Sequence, residues 1–218
     1  MTDAQERRLA SHSIDLAPTV SQDGTRGLLL NCALSLFAER GFAGASIRDI
    51  ASAAGVQPAT LYGHFESKAQ ILAELVETAH AEHYRRLAAA VLQSGADPID
   101  QLTAVVREHV LVHAGYPMLT VVANAELHAL SPSLGRAARD FRSRSEQLIG
   151  DVIERGTELG VFDPVDTWLA LAAIGAMGIR VANWYTVDFA LPATRVADIY
   201  AEYACRIVGV RPRIAEPE

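Results

Sequence analysis

Apolar residues recur three and four positions apart along most of the chain, which is the spacing of one face of an α-helix. Between residues 24 and 40, for example, Leu29, Ala33 and Leu36 mark such a face. No stretch alternates apolar and polar residues in the way that a half-buried β-strand does. The pattern therefore predicts an all-α protein of about nine helices.

The segment 46–65 predicts two short helices joined by a tight turn. Ser46 is placed to cap the first helix, and Gly55 suits the positive φ with which a chain often leaves a helix. Pro58 suits the first turn of the second helix, where its missing N–H costs nothing. The residues that face inward at helical spacing are Ile47, Ile50, Ala51, Ala54, Leu61 and Phe65. This pattern is typical of a helix-turn-helix, whose second helix enters the major groove of DNA.

Residues 25–72 resemble the N-terminal DNA-binding domain of the TetR family of bacterial repressors. A helix with the pattern Phe37-x-x-x-Gly41-Phe42 precedes the helix-turn-helix, and this combination makes the resemblance specific. The matching positions are 33–37, 39, 41–42, 46–51, 54–56, 60–62, 64–65, 67–68 and 71–72. The resemblance implies a homodimer that holds a small-molecule effector in its larger helical part and dimerises through its last two helices.

We predict four segments: a disordered arm at 1–23, a DNA-binding domain at 24–70, an effector-binding and dimerisation domain at 71–210, and a tail at 211–218. The net charge of −7 counts against a basic nucleic-acid binder, but its distribution changes this picture. Residues 24–70 carry four basic and three acidic side chains, whereas residues 71–218 carry 13 basic and 19 acidic ones. The acidity thus belongs to the part that need not contact phosphate.

Nothing at the start of the chain indicates export. Arg7 and Arg8 precede no apolar stretch of the kind found in a signal peptide. We interpret them as solvated, and insertion into a minor groove is the alternative. Cys32 and Cys205 fall inside predicted helices, which is typical of reduced cysteines in a cytoplasmic protein.

Proline falls in the first turn of each of the five helices predicted after residue 97. The helices predicted beyond the helix-turn-helix are 67–92, 98–115, 117–130, 132–160, 164–187 and 192–208. The first of them extends from the small domain into the large one. A tilt at one end of this helix therefore moves its other end.

DNA contacts are predicted at the helix starts and along the second helix of the motif. Gln57 can pair with adenine and the Thr60 methyl group can meet that of thymine. The candidates are Thr25, Arg26, Ser46, Arg48, Gln57, Pro58, Ala59, Thr60, Tyr62, His64 and Lys68. The resemblance implies contact roles for Arg48, Thr60, Tyr62, His64 and Lys68, and packing of Tyr62 against the first helix is the alternative. Gln57 stands where the family often has a capping Ser, and Gly63 where an aromatic residue is frequent.

Residues 168–185 are apolar nearly all round, which predicts a helix covered by other protein. A membrane span is disfavoured by Arg180, Asn183 and the pair Gly175 and Gly178. We expect a second copy of the chain to cover this helix. The predicted dimer-interface residues are Leu171, Ile174, Gly175, Gly178, Tyr185, Ile199 and Tyr203.

The short pattern at 177–185 resembles a TetR subgroup that senses acyl-CoA thioesters in fatty-acid and steroid breakdown. The predicted effector-binding residues are His109, His113, Met118, Val122, Phe141, Met177, Arg180 and Trp184. Two interpretations stay open for the arginines at 136, 139, 142 and 144, which either form a solvated helix face or meet a nucleotide.

His109 and His113 are four residues apart, which is metal-ligand spacing, but the sequence shows no evident third ligand. We therefore predict solvated or cavity-lining histidines, no metal site and no cofactor. No catalytic motif stands out. The prediction is a dimeric, effector-released transcriptional repressor that binds a palindromic operator. The alternatives are a ligand-independent activator or global regulator, and a helical small-molecule-binding protein without DNA function.

Overall fold

The computed structural model describes residues 24–210, so the predicted disordered arm at 1–23 and the predicted tail at 211–218 lie outside the described residues. Within that range the chain forms nine α-helices, one short 3-10 helix and no β-strand, which confirms the predicted all-α fold. The helices are α1 (Gly24–Gly44), α2 (Ile47–Ala53), α3 (Pro58–Tyr62), α4 (Lys68–Gln93), α5 (Pro98–Gly115), α6 (Pro117–Glu126), α7 (Arg136–Glu158), α8 (Thr167–Trp184) and α9 (Ala193–Ile207).

Polar side chains cap several helix starts. The Ser46 hydroxyl accepts from the Asp49 N–H at 3.1 Å, and the Asp49 carboxylate accepts from the Ser46 N–H at 2.8 Å, which completes a capping box before α2. Asp166 accepts from the Leu169 N–H at 2.8 Å at the start of α8. The start predicted at Pro164 is therefore slightly too early, because the residue that caps the helix comes after the proline.

The predicted start of α7 at Pro132 is wrong. Residues 132–135 form turns, and α7 begins only at Arg136. The Arg139 guanidinium donates to the carbonyl oxygens of Ser131 and Pro132 at 2.9 and 3.1 Å. These bonds stabilise the turn, so the helix begins four residues after Pro132. The position of the proline alone does not predict this later start.

Gly41 interrupts α1. Its φ of 70° and ψ of 166° lie outside the helical region, so the regular helix ends there, as the sequence predicted. A residue with a side chain is strained at this φ. The interruption turns the chain toward α2 and directs the Phe42 backbone N–H at α6.

The hydrophobic core divides into clusters, and the first one crosses the predicted domain boundary between residues 70 and 71. It combines buried residues of α1 to α4, such as Phe37 and Leu61, with Leu119 and Val122 of α6. The second and third clusters join α4, α5, α7, α8 and α9. A small unit of one long and two short helices has little core of its own, so packing against α4 and α6 stabilises the helix-turn-helix.

Candidate nucleic-acid interface and ligand cavity

α3 presents one side to the core and the other to solvent. Leu61 is 0% exposed and Phe65 is 1% exposed. The exposed side chains on and beside this helix are Gln57, Ala59, Thr60, Tyr62 and His64. Tyr62 keeps 58% of its surface exposed, which disfavours the alternative in which its ring packs against α1.

The turn between α2 and α3 has the geometry that the sequence predicted. Gly55 has a φ of 67°, and Pro58 is in the first turn of α3. Within the described residues the Gln57 side chain makes no capping hydrogen bond, so its amide remains available to a ligand.

The start of α2 lies beside α3. Ser46, Arg48, Pro58 and Tyr62 line one shallow cleft between these two helices. The Ser46 hydroxyl donates to Asp49 at 2.6 Å, and this bond lowers the pKa of the Asp49 carboxyl. Ser46 is thus engaged in the cap, while the exposed Arg48 offers a positive charge at the cleft.

Arg26 and Lys68 have partners inside the chain that the sequence did not predict. The Arg26 guanidinium pairs with the Glu74 carboxylate and lies 4.6 Å from the centre of the Phe65 ring. The Lys68 ammonium donates to the carbonyl oxygens of Phe42 and Ala45, both at 2.6 Å. Both cations therefore connect α4 to the preceding part of the DNA-binding unit.

A cavity of about 370 Å³ lies among α4, α5, α6, α7 and α8. Its apolar wall includes Ala79, Ala123, Ile149, Leu171, Ala176 and Ile179. Its polar wall includes His80, His83, His109, His113, Thr120, Asn124 and Ser145. Arg142 and Glu146, two exposed side chains of α7 joined by a hydrogen bond of 3.0 Å, also line it.

His109 and His113 are in the cavity wall, and the other six predicted effector residues are not. Met118 and Val122 point from α6 into the first core cluster, because Thr120, Ala123 and Asn124 occupy the cavity side of that helix. The remaining four are Phe141, which packs on Tyr84, Met177 in the second cluster, the exposed Arg180, and Trp184, which packs on Phe189.

The four arginines of α7 do not act as one group. Arg142 lines the cavity, whereas Arg139 holds the preceding turn. The Arg144 guanidinium lies 6.0 Å from the centre of the Tyr84 ring, and Arg136 lines a separate surface groove. Of these four arginines, only Arg142 therefore faces the cavity.

Sequence reasoning missed His80 and His83 as members of the same wall. Their spacing of three residues puts both on one side of α4, and that spacing was the available signal. Burial lowers the pKa of His80 to about 4. His80 interacts with the Ala123 backbone, and its Nε2 has no hydrogen-bond partner among the described residues.

The other three histidines form a hydrogen-bonded group. His83 Nε2 lies 2.8 Å from His109 Nδ1, His109 Nε2 lies 3.0 Å from the Gly175 carbonyl oxygen, and His113 Nδ1 lies 2.7 Å from the His109 carbonyl oxygen. Burial lowers the pKa of His113 to about 3 and also lowers the pKa values of His83 and His109. All three rings are therefore neutral at pH 7.

Three of the seven predicted dimer-interface residues are buried within the chain, and the assignment of the set to an interface stays a prediction. Ile174, Gly178 and Tyr185 are buried within the chain, while Leu171 and Gly175 line the cavity. A Cβ atom on Gly178 would lie 2.0 Å from His109 Cδ2, so the absence of a side chain here leaves room for the His109 ring. Ile199 is partly buried and Tyr203 is 44% exposed. The exposed side chains of α8 are Trp168, Leu169, Ala172, Ala173, Ala176 and Arg180, and three of them, Trp168, Ala172 and Ala176, also border the cavity.

No helix within residues 24–210 is long and apolar enough to cross a membrane. An exposed recognition helix on a small helical unit, attached to a larger helical part with an internal cavity, defines a DNA-binding regulator with a ligand-binding domain. Residues 29–75 match the family model of bacterial regulatory proteins of the tetR family, and residues 95–208 match that of the tetracyclin repressor-like C-terminal domain. The chain belongs to the TetR family.

Relatives within the family include the HTH-type transcriptional repressor KstR2 of Rhodococcus jostii (strain RHA1). It is 27% identical over 184 residues, which cover 84% of this chain and 90% of the relative. The solved structure of the ketosteroid transcriptional regulator KstR2 of Mycobacterium tuberculosis covers 90% of this chain and 100% of its own, with 26% identity and a TM-score of 0.80. The TetR family regulator PfmR of Thermus thermophilus is 30% identical, with a TM-score of 0.73, and covers 84% of this chain and 99% of its own.

Proposed function

We propose that this chain is a TetR-type transcriptional repressor that binds operator DNA as a homodimer and is released by a small molecule in the cavity. The repressors named KstR2 support this function through their similarity over most of the chain. In this role the protein acts in the cytoplasm, where bacterial operator DNA lies, and regulates transcription without catalysing a reaction.

The observation that carries the proposal is the position of α6 between the cavity and the DNA-binding unit. Thr120, Ala123 and Asn124 of this helix line the cavity. Leu119 and Val122, on its other side, belong to the core that packs the helix-turn-helix. A ligand that moves α6 therefore moves the packing partner of the recognition unit.

Release from DNA requires more than tight binding of the ligand. The ligand must bind better to the conformation that does not fit DNA. A ligand with equal affinity for both conformations leaves their populations unchanged. In a two-fold dimer, the two recognition helices must lie about 34–36 Å apart to enter successive major grooves. A small displacement of α6 and α4 in each protomer changes this separation and weakens binding.

The exposed side of α8 is the proposed dimer surface, together with Tyr203 of α9. Leu169 is 59% exposed and Trp168 is 71% exposed, and alanines continue the same face. Small side chains allow a second helix to approach closely, and large apolar side chains nearby supply buried area. This surface retains the last two helices as the dimer elements but replaces most of the predicted residues.

The cavity favours a compact, mainly apolar effector that carries a hydrogen-bond donor. Its volume is at the lower end of the range of about 300–1,000 Å³ that is typical of small-molecule sites. The buried His80 Nε2 requires a donor, which a hydroxyl group of the ligand can supply. For an acyl-CoA thioester, the acyl part would occupy the cavity and the nucleotide part would extend past Arg142 to solvent.

The test is binding of the purified protein to the DNA upstream of its own gene at two salt concentrations. We expect a salt-sensitive complex, because contacts to phosphate release counterions. Thr60→Ala should weaken it, whereas Ser52→Ala, a change of an exposed residue on α2 outside the predicted contact set, should not. If neither this DNA nor any selected DNA binds, and Thr60→Ala behaves like the parent, the repressor function is rejected.

The second part of the test adds to the complex an acyl-CoA whose acyl chain fits the cavity of about 370 Å³, or the free acid of the same chain length. Release by the thioester but not by the acid supports a nucleotide contact at the cavity mouth. Release by both assigns recognition to the acyl part alone. A complex that ignores both compounds retains the DNA-binding function and rejects this class of effector.

A further inference from the structure

Three histidines from two helices converge in the cavity wall. His83 comes from α4, and His109 and His113 come from consecutive turns of α5. One ring nitrogen of each lies within 4.8 Å of the others. Imidazole is a preferred ligand of divalent transition metals such as Zn²⁺, and three histidines form a known set for a Zn²⁺ ion that keeps one position for a further ligand.

The hydrogen bonds of two rings leave a lone pair on the nitrogen that a metal would need. His113 Nδ1 donates to the His109 carbonyl oxygen, so its Nε2 carries no proton. His109 Nε2 donates to the Gly175 carbonyl oxygen, so its Nδ1 carries none. A bond from the second ring nitrogen to a backbone carbonyl is the usual support of a metal-binding histidine, because it fixes the tautomer and the ring orientation.

To bind one ion, the three rings must rearrange: nitrogen separations of up to 4.8 Å shorten, and the shortest separation lengthens. His83 Nε2 and His109 Nδ1 are 2.8 Å apart and share one proton in a hydrogen bond. Two nitrogens bound tetrahedrally at about 2.0–2.1 Å from one Zn²⁺ lie about 3.3 Å apart, so the rings need to separate by about half an ångström. The metal then takes the place of the shared proton, and this single ring proton of His83 moves from Nε2 to Nδ1.

We propose that His83, His109 and His113 bind one divalent transition-metal ion of the Zn²⁺ class through three imidazole nitrogens. A fourth ligand, either water or an anionic oxygen of the molecule in the cavity, completes the coordination.

The ion would connect α4 to α5. His83 is on the helix that begins at Lys68 beside the recognition unit. Metal binding itself does not depend on the proposed repressor function. An effect of the metal on operator affinity does depend on the repressor function, because it requires that movement of α4 change the binding of DNA.

The test uses the full-length chain, freed of metal with a chelator and titrated with Co²⁺ and with Zn²⁺. Tetrahedral Co²⁺ absorbs visible light, and calorimetry follows Zn²⁺. We expect one ion per chain, and at least a hundredfold weaker binding in His83→Gln and His113→Gln. His128→Gln is the matched control, because His128 is an exposed histidine outside the cavity. Circular dichroism without metal shows that each variant is folded.

Operator binding is measured on the same samples so that the two proposals are judged separately. Metal binding by the parent that is lost in both cavity variants and kept in His128→Gln supports the site, whether or not DNA binds. A parent that binds operator DNA but shows neither the Co²⁺ spectrum nor heat with Zn²⁺ overturns it. Binding that survives unchanged in His83→Gln and His113→Gln also overturns it.

Discussion

Glu126 and Phe42 connect the two parts of the chain through one hydrogen bond. The Phe42 backbone N–H donates to Glu126 Oε1 at 3.1 Å, 84 residues away along the chain. Phe42 also receives the Lys68 ammonium on its carbonyl oxygen, and its ring packs edge-on against Phe37 at 5.5 Å. The segment that follows the interruption at Gly41 is thus held from α4 and from α6, two of the helices that line the cavity.

Glu126→Ala should weaken the connection between the cavity and the recognition unit. The change leaves the partly buried Phe42 N–H without its partner, at an expected cost of about 1 kcal/mol in the free energy of unfolding. We also expect a smaller effect of the cavity ligand on operator affinity, measured by fluorescence anisotropy. Glu126→Gln keeps an acceptor oxygen and is the control. Equal ligand effects in the parent and in Glu126→Ala would contradict this route.

Gln57→Ser should raise stability and lower operator affinity. The Gln57 side chain makes no capping bond within the described residues, and a serine at a helix N-cap stabilises a protein by about 0.5–2 kcal/mol. The same change removes the amide that we propose reads adenine, at a cost of about 1–3 kcal/mol in binding. Urea unfolding and operator titration measure the two effects. A loss of affinity that accompanies lower stability would point to damaged folding instead.

Arg48→Ala and Lys68→Met should separate contact with DNA from support of the fold. Arg48 is exposed at the cleft, so its loss should reduce the slope of log affinity against log salt by about 1 while stability is unchanged. Lys68 donates to two carbonyl oxygens, so its loss should lower the free energy of unfolding by about 1–2 kcal/mol. If Lys68→Met changes only the salt slope, its intramolecular role is minor.

Gly178→Ala should be costly and Gly175→Ala should not. The new Cβ on residue 178 meets the His109 ring at 2.0 Å, and overpacking of this kind costs about 1–3 kcal/mol. Apart from its chain neighbours and its own helix backbone, residue 175 has no described atom within 4 Å of the new Cβ, and alanine favours a helix over glycine by about 1 kcal/mol. The unfolding temperature and the affinity for Co²⁺ should therefore both fall in Gly178→Ala and not in Gly175→Ala. Equal behaviour of the two variants would place the His109 ring elsewhere.

Leu169→Glu should produce a monomer. A buried charge without a partner opposes association at an apolar interface, and Leu169 is on the proposed dimer face of α8. Sedimentation should show half the parent mass, and operator affinity should fall because the two half-sites are no longer bound together. Leu92→Glu, at an 85% exposed position near the end of α4, is the control. A dimeric Leu169→Glu variant would move the interface away from this side of α8.

Local chemistry determined much of this protein. The number of helices, the capping box at Ser46, the left-handed Gly55 and the interruption at Gly41 all follow from residues close together in sequence. These features depend on backbone conformations and on bonds that span one helical turn, so the order of residues is sufficient to predict them.

Which side of a helix faces the core, the cavity or a partner was decided only by tertiary packing. The apolar pattern of α8 is nearly continuous, so it could not show that Gly178 meets His109 or that Leu169 is exposed. His83 and His109 are 26 residues apart, and they meet only because α4 and α5 pack together. Contacts between distant residues depend on how whole helices rotate and cross, and helical periodicity within each segment does not contain that information.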